Sequence, residues 1–277
     1  MKPNYLVVGS AKSGTSTLCD IIGQHPEIYM FPHKEIHFFN SYYDRGIEWY
    51  ESKFNPPAHV KLIGEGTVYM KGTPKVTDRI AQHLPDAKII LIARHPIERI
   101  ESHYVQLIEN GEVVQTGDNK KDLKKAIRNV HKLLASSLYW DMVQDLRRHY
   151  KEENILVLFF DDLKKNPKSV LNQCCEFLGA TPNVEVNNVN RVLNTREEKS
   201  TDGAILRKLR EYKVFTDIKW MMPKPLVQAI KPLFKEKIGK VDIEWDESLK
   251  KEVFEKVSND CKIFLKAYNK PEDYWSF

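Results

Sequence analysis

The fold of this chain is decided by the stretch LVVGSAKSGTSTL, Leu6–Leu18. The apolar residues before Gly9 are typical of a buried strand, and the apolar spacing after Gly14 is typical of a helix. Glycines and hydroxyl residues between them predict a tight turn. Backbone N–H groups in such a turn, the positive end of a helix dipole and a lysine all favour a bound anion. The stretch therefore predicts a phosphate-binding loop.

The position of the lysine separates this loop from that of nucleotide triphosphatases. In their loop, G-x-x-x-x-G-K-[ST], the lysine follows the second glycine, and the next hydroxyl residue binds Mg²⁺. Here Lys12 stands two residues before Gly14, and Thr15 takes the place of that lysine. The displaced lysine argues against a nucleotide-dependent kinase or phosphatase. A strand, turn and helix with only a solvated lysine is the alternative for the loop taken alone.

Strands and helices alternate through residue 180, which predicts an α/β, P-loop-like, three-layer domain with a central parallel sheet and helices on both faces. Ligands of such sheets bind at the carboxyl ends of the strands, where we expect the phosphate loop, Glu65–Thr67 and Arg94. The predicted strands are 4–9, a short one from 28, 61–69, 87–93 and 154–160. The predicted helices are 15–24, 46–54, about ten residues from Thr73-Pro74, 96–108, 137–150 and 166–179.

The remaining segments are less regular. Residues 110–132 accumulate lysines and predict either a solvated basic loop and helix or a mobile lid over an anionic ligand. Residues 183–202 read as irregular, 203–214 as a basic helix and 246–268 as a final helix. We interpret residues 1–277 as a single domain, with a motif core at 4–180 and an irregular and helical part at 181–277.

Composition limits the class of protein. The chain has 277 residues, 42% hydrophobic residues, 29% charged residues and a net charge of +5. This mild charge suits a phosphorylated small ligand and predicts no nucleic-acid partner. The sequence contains no run of about 18 apolar residues, so we expect no membrane span. The first strand begins too early to leave room for a signal peptide. The four cysteines lack metal or disulfide spacing, so we expect reduced thiols and a cytoplasmic protein.

A second anion site is predicted where the strand 87–93 ends. Arg94 follows this strand, and Ser102 lies about two helical turns further on. An arginine in this place can bind a phosphate through two parallel N–H bonds, and a serine can add a hydroxyl donor. The alternative is an arginine that only caps the sheet. Together with the first loop, the pair predicts two phosphate sites for one ligand.

These motifs together resemble the sulfotransferase family. Gly9–Ser16 is similar to its 5′-phosphosulfate loop, and Ala93–Tyr104 is similar to its 3′-phosphate motif. Lys34-Glu35-Ile36-His37-Phe38-Phe39 resembles a segment of heparan sulfate sulfotransferases in which the glutamate is the catalytic base. Further similarity lies at Gly72–Val76 and in the run from Leu138 to Gly179. The resemblance covers residues 4–180 well and the rest only faintly.

The resemblance implies 3′-phosphoadenosine 5′-phosphosulfate (PAPS) as donor and 3′-phosphoadenosine 5′-phosphate (PAP) as product, with no metal. It implies that Arg94 and Ser102 hold the 3′-phosphate, and that Lys199 and Ser200 close over it. A solvated loop is the alternative for Lys199 and Ser200. The residues implied to hold the 5′ end of the donor are Lys12, Ser13, Gly14, Thr15 and Ser16.

The implied chemistry is in-line attack of an acceptor hydroxyl or nitrogen on sulfur. Glu35 would take the proton of the acceptor, and Lys12 would offset charge on the leaving phosphate. In an extended segment Glu35 and His37 would share one face, because side chains alternate. Lys34 and the neighbouring histidines would favour the ionised carboxylate. The alternatives are a surface Glu35 paired with Lys34 and a His37 that serves only as a structural hydrogen-bonding group.

Departures from the family pattern bear on the acceptor. The glycan-modifying relatives have a lysine where Gly66 stands, an acid where Asn40 stands and a late disulfide that this chain lacks. We therefore expect a small-molecule acceptor, such as a metabolite of a bacterial natural-product pathway. A glycan O-sulfotransferase is the alternative, followed by a nucleotide kinase and by a non-catalytic nucleotide-binding protein. The residues leave the oligomeric state open.

Overall fold

A computed structural model describes residues 1–69, 74–187 and 241–275, with the backbone of 200–202 and 235–237. The strands are β1 Tyr5–Gly9, β2 Ile28–Met30, β3 Leu62–Glu65, β4 Lys88–Ala93, β5 Ile155–Phe159, β6 Ser200–Asp202 and β7 Lys235–Lys237. The α-helices are α1 Thr15–Ile22, α2 Phe38–Ser41, α3 Ile47–Glu51, α4 Pro74–His83, α5 Pro96–Glu109, α6 Asn119–Asn129, α7 His131–Ala135, α8 Tyr139–Arg147, α9 Phe160–Lys165, α10 Pro167–Leu178 and α11 Glu247–Ala267. Two 3₁₀ turns are Tyr43–Arg45 and Glu152–Asn154.

The first five strands form one parallel sheet in the order β2-β3-β1-β4-β5. The chain moves from β1 to one side of the sheet for β2 and β3, and then to the other side for β4 and β5. The carboxyl end of β1 therefore lies at the topological switch point, where open α/β sheets bind ligands. The predicted fold class is confirmed, and β6 pairs with β7 in a separate antiparallel ladder.

Alternation along the central strands builds two cores. Leu6 and Val8 of β1 face one apolar cluster, with Leu91 of β4, Tyr139 of α8 and Phe264 of α11. The intervening residues of the same strands face the other cluster, which includes α1 and α10. Because strand side chains point alternately to the two faces, a continuous apolar run requires a layer of helices on each side. The chain supplies both layers.

The basic segment after α5 is packed in this structure. Leu123 and Ala126 of α6 are buried against Tyr104 and Leu107 of α5, while lysines lie on the opposite face of the helix. Asp118 caps α6 by accepting a hydrogen bond from the backbone N–H of Lys121 at 3.1 Å. This arrangement supports the solvated basic helix among the two predictions for 110–132 and gives no support to a lid.

The end of the described chain closes the first of these cores. α11 packs beside α8, and its Asp260 accepts hydrogen bonds from the backbone N–H groups of Trp140 and Asp141 at 3.2 and 3.1 Å. Trp275 is only 2% exposed and stacks on Phe264. The predicted final helix is confirmed within one residue at each end, whereas the predicted helix 203–214 lies outside the described residues.

Candidate active site

The phosphate loop joins β1 to α1 at the switch point. Gly14 has a left-handed φ of 89°, and a Cβ there would lie 2.5 Å from the ring of Phe160, so only glycine fits. The backbone N–H of Ser10 donates to the carbonyl of Ile92 at 2.8 Å, and its hydroxyl donates to the carbonyl of Ser136 at 2.7 Å. The loop is thus fastened to β4 and to the segment before α8, with the N-terminus of α1 directly behind it.

Lys34 connects this loop to the segment after β2. Its ammonium donates hydrogen bonds to the hydroxyls of Thr15 at 2.6 Å and of Ser16 at 3.4 Å, at the first turn of α1. The same ammonium lies 3.8 Å from a carboxylate oxygen of Glu35. The side chains of Lys34 and Glu35 are 19% and 24% exposed, so both are accessible but mostly covered. The predicted base therefore lies next to the predicted 5′-phosphosulfate site.

Two further groups hold the carboxylate of Glu35. One oxygen accepts a hydrogen bond from the backbone N–H of Val68 at 3.1 Å and lies 3.4 Å from Nε2 of His37. The predicted proximity of Glu35 and His37 is confirmed, but the extended geometry behind it is wrong. The segment is irregular, and His37 has a left-handed φ of 59° where it precedes α2. The pairing of Glu35 with Lys34 is also present, without placing the carboxylate on an open surface.

A buried network behind Glu35 sets the position of its segment. The hydroxyl of Thr67 accepts hydrogen bonds from the backbone N–H of Ile36 at 3.1 Å and of His37 at 3.4 Å, and it donates to the carboxylate of Glu65. Glu65 is 0% exposed. The hydroxyls of Tyr69 and Tyr50 donate to its other oxygen at 2.6 and 3.1 Å.

Burial raises the pKa of Glu65 to about 7, against the lowering effect of the hydrogen bonds from Thr67, Tyr69 and Tyr50. The carboxyl thus changes its charge in the neutral range, although it faces the core. Sequence reasoning placed Glu65–Thr67 at the sheet edge but missed that Thr67 binds the backbone beside Glu35. The sequence signal that could have indicated this role is the pair of polar residues, Glu65 and Thr67, at the end of a buried strand.

Arg94 lies at the end of β4, as predicted, and contacts the phosphate loop. Its Nη1 donates to the carbonyl of Lys12 at 3.3 Å, and its Nη2 lies 2.8 Å from the carboxylate of Glu98. Its guanidinium is 5.0 Å from the ring centroid of Phe160. The hydroxyl of Tyr139 donates to the Arg94 carbonyl at 2.6 Å, which fixes the backbone here. The two predicted phosphate motifs are therefore in contact.

The other predicted site residues divide into two groups. Ser102 lies on α5 and is half-buried, four residues beyond Glu98 and hence on the same helical face. Ser200 begins β6, of which only the backbone is described, and Lys199 lies outside the described residues. Ser13 and Thr15 are buried in the phosphate loop, and Lys12, Gly14 and Ser16 are partly exposed there. The structure thus brings the loop, Arg94 and Glu35 together but leaves the prediction for Lys199 and Ser200 open.

Among residues 1–69, 74–187 and 241–275, no group of three or more His, Cys, Asp or Glu side chains has a metal-binding arrangement. Within the same ranges, no helix combines the length and the apolar character needed to cross a membrane. All four cysteines are buried and free of disulfides.

Known proteins match both the sequence and the fold. A family model described as the sulfotransferase domain matches residues 2–266. The chain is 43% identical over 105 residues to a membrane-associated sulfotransferase of Dictyostelium discoideum, which covers 37% of this chain and 22% of that protein. It is 29% identical over 197 residues to the bifunctional heparan sulfate N-deacetylase/N-sulfotransferase 2 of Homo sapiens, which covers 65% of this chain and 22% of that protein. The chain thus spans about a fifth of the length of these relatives.

A solved structure shares the fold over its whole length. The sulfotransferase from Alicyclobacillus acidocaldarius superposes with a TM-score of 0.67 and 22% identity, covering 100% of both chains. At this identity the similarity shows the architecture alone, which is the parallel sheet and helical layers described above.

Proposed function

This chain belongs to the sulfotransferase family, and from that premise we propose that it transfers a sulfuryl group from PAPS to a hydroxyl or nitrogen of an acceptor. The observation that carries the proposal is the adjacency of a carboxylate to the phosphate loop. Glu35 lies 3.8 Å from the Lys34 ammonium, which in turn binds Thr15 on the first turn of α1. A base therefore lies where a group held by this loop would meet an acceptor.

The donor set of the loop suits the phosphosulfate end of PAPS. An ammonium on Lys12, the hydroxyls of Thr15 and Ser16 and the positive end of α1 are all groups that favour an oxyanion. Arg94 supplies the planar guanidinium that a second phosphate requires. Its present partner, Glu98, is half-exposed, so a phosphate can compete for the same N–H groups. The residues thus fit a ligand with two separate phosphates.

In the proposed reaction, each step is assigned to a residue of the site. The acceptor oxygen or nitrogen forms a bond to sulfur while its proton passes to Glu35. The bond between sulfur and the bridging oxygen of the 5′-phosphate breaks, and the electron pair leaves with PAP. Lys12, at the loop, offsets the charge that develops on this leaving phosphate. His37, which lies 3.4 Å from Glu35, orients the carboxylate.

Two acceptor classes follow from different observations. Gly66 and Asn40 stand where the glycan-modifying relatives carry charged residues, which supports a small-molecule acceptor of the natural-product type. The similarity to a heparan sulfate N-deacetylase/N-sulfotransferase supports a glycan acceptor. Sulfation assays with both acceptor classes, read as the mass gain of one sulfuryl group, decide between them. A cytoplasmic location stays a prediction, supported by the four buried free thiols. The absence of nucleic-acid and membrane partners also stays a prediction.

Donor binding is tested by thermal unfolding with added nucleotide. PAP at about 100 times its dissociation constant should stabilise the fold by ~2.7 kcal/mol, because it binds only the native state. ATP with Mg²⁺ should stabilise it far less, since the loop lacks the lysine position of triphosphatases. Equal or greater stabilisation by ATP with Mg²⁺ would favour a kinase and overturn the proposal.

A further inference from the structure

We propose that Lys34 is a catalytic cation of this site, which binds an oxygen of the sulfuryl group during transfer. This inference rests on the proposed function and assigns a residue to the transferring group itself. Lys12 belongs to the loop and is proposed to act on the leaving phosphate, whereas Lys34 lies between the loop and Glu35. The two lysines therefore divide the charge of the reaction between them.

The contacts of Lys34 define the place of the sulfuryl group. Its ammonium reaches Thr15 at 2.6 Å and Ser16 at 3.4 Å on one side and Glu35 at 3.8 Å on the other. In the proposed reaction, the sulfuryl group accepts hydrogen bonds from the N-terminus of α1, and an acceptor bound to Glu35 attacks it. The sulfuryl group therefore has to lie beside the Lys34 ammonium. The hydroxyls that Lys34 now binds are neutral, so a sulfuryl oxygen with partial negative charge is a stronger partner.

Gly66 packs against both Cys19 and the Lys34 side chain. A Cβ at Gly66 would lie 2.3 Å from Sγ of Cys19 and 3.4 Å from Cε of Lys34. The first distance means that the buried Cys19 side chain on α1 would have to move to make room for any side chain at position 66. The second distance is an ordinary van der Waals contact, which shows that the Lys34 stem passes directly beside Gly66, after the carboxyl end of β3, on its way to the loop.

Proton transfer to Glu35 would strengthen the action of Lys34. Before transfer, the positive charge of Lys34 is partly balanced by the carboxylate 3.8 Å away. When the acceptor proton moves to Glu35, that carboxylate becomes neutral, while Lys34 keeps its proton. The charge of Lys34 is then directed at the sulfuryl oxygens as the sulfur–oxygen bond to the phosphate breaks. Such preorganised charge acts more strongly in the transition state than in the ground state.

The test compares PAPS with PAP, because only PAPS carries the sulfuryl group. Lys34→Gln should weaken PAPS binding by about 10-fold and leave PAP binding within about 3-fold of wild type, and turnover should fall by about 10²-fold. Lys34→Arg keeps the charge and should recover part of the turnover. Lys61→Gln removes an exposed lysine beside β3 and is the matched control, with the values of wild type.

A second measurement uses the unmodified protein and so does not depend on folding of the variants. Saturating PAPS without acceptor should protect Lys34 from an amine-reactive reagent, and PAP should protect it less. The role of Lys34 would be overturned if Lys34→Gln lost PAPS and PAP binding equally or kept wild-type turnover. Equal protection of Lys34 by PAPS and PAP would overturn it as well. Failure of wild type to bind PAP would instead overturn the proposed function, so the two failures are distinguishable.

Discussion

The phosphate loop and the base segment around Glu35 are built in opposite ways. The loop consists of consecutive residues between β1 and α1, and its glycine is required by a single local conformation at Gly14. The base segment has no regular structure before α2 and is held by Thr67 and Val68, about thirty residues further along the chain. Donor binding thus depends on local sequence, whereas placement of the base depends on a distant strand end. The two functions should therefore separate in variants.

The largest effect is expected at the base. Glu35→Gln keeps the size of the side chain but cannot accept the proton of the acceptor, so turnover should fall by at least ~10²-fold. Steady-state rates on a hydroxyl acceptor measure this loss. Near wild-type turnover would place the base elsewhere, with His37 as the first candidate. An acceptor nitrogen that is already unprotonated would give a smaller loss, so the size of the effect also reports the acceptor chemistry.

Arg94 tests the part of the donor site that lies outside the loop. Arg94→Ala should weaken PAP binding by about 10- to 100-fold, because it removes the charge-assisted hydrogen bond proposed to hold the 3′-phosphate. The matched control is Glu98→Gln, which breaks the 2.8 Å ion pair but leaves the guanidinium. The control should keep or raise the affinity. If Arg94→Ala still distinguishes 3′-phosphorylated nucleotides as wild type does, the arginine only caps the sheet.

The smallest effect concerns the support of the base segment. The pKa of Glu65 is raised to about 7 in the folded protein, above the unfolded value of 4.5. The folded state therefore binds the proton more tightly, and the stability that Glu65 contributes is present below pH 4.5 and lost as the pH rises through 7. Over this range the free energy of unfolding should fall by on the order of 1 to 3 kcal/mol through Glu65.

Glu65→Gln isolates this contribution, because the amide stays neutral at every pH. The difference in free energy of unfolding between wild type and variant should change between pH 5 and pH 7.5 and be constant above that range. Asp260, whose pKa burial raises to about 6, acts in the same direction but is present in both proteins and cancels. A difference that is independent of pH would mean that Glu65 keeps one charge state throughout.

The sequence predicted the elements whose signal is local. The apolar runs of β1 and β4, the loop glycine and the proline at the start of α5 determine their own structure, and the structure confirms them. Arg94 was predicted at the sheet edge because strand ends share that edge. Its hydrogen bond to the Lys12 carbonyl joins residues that are far apart in the chain, so no local sequence pattern predicts it.

The contacts that place Glu35 were beyond sequence reasoning for a physical reason. They join Ile36 to Thr67 and Val68 to Glu35 through backbone N–H groups, which every residue type except proline carries, so no residue pattern records them. The proximity of His37 to Glu35 was predicted from strand alternation, but it arises from a left-handed turn. The role proposed for Lys34 depends on its distances to Thr15 and Ser16, which lie eighteen or more residues away, together with its contact to Glu35.

Calorimetric titration of PAP into Lys12→Ala and Glu35→Gln tests the separation of the two regions most directly. We expect Lys12→Ala to lose at least about 10-fold in PAP affinity, because in the proposed donor site the lysine binds the 5′-phosphate. Glu35→Gln should bind PAP within a few-fold of wild type, since in the proposed reaction its carboxylate faces the acceptor. Unchanged affinity in Lys12→Ala, or an equal loss in both variants, would contradict a donor site built by the loop and a base built separately beside it.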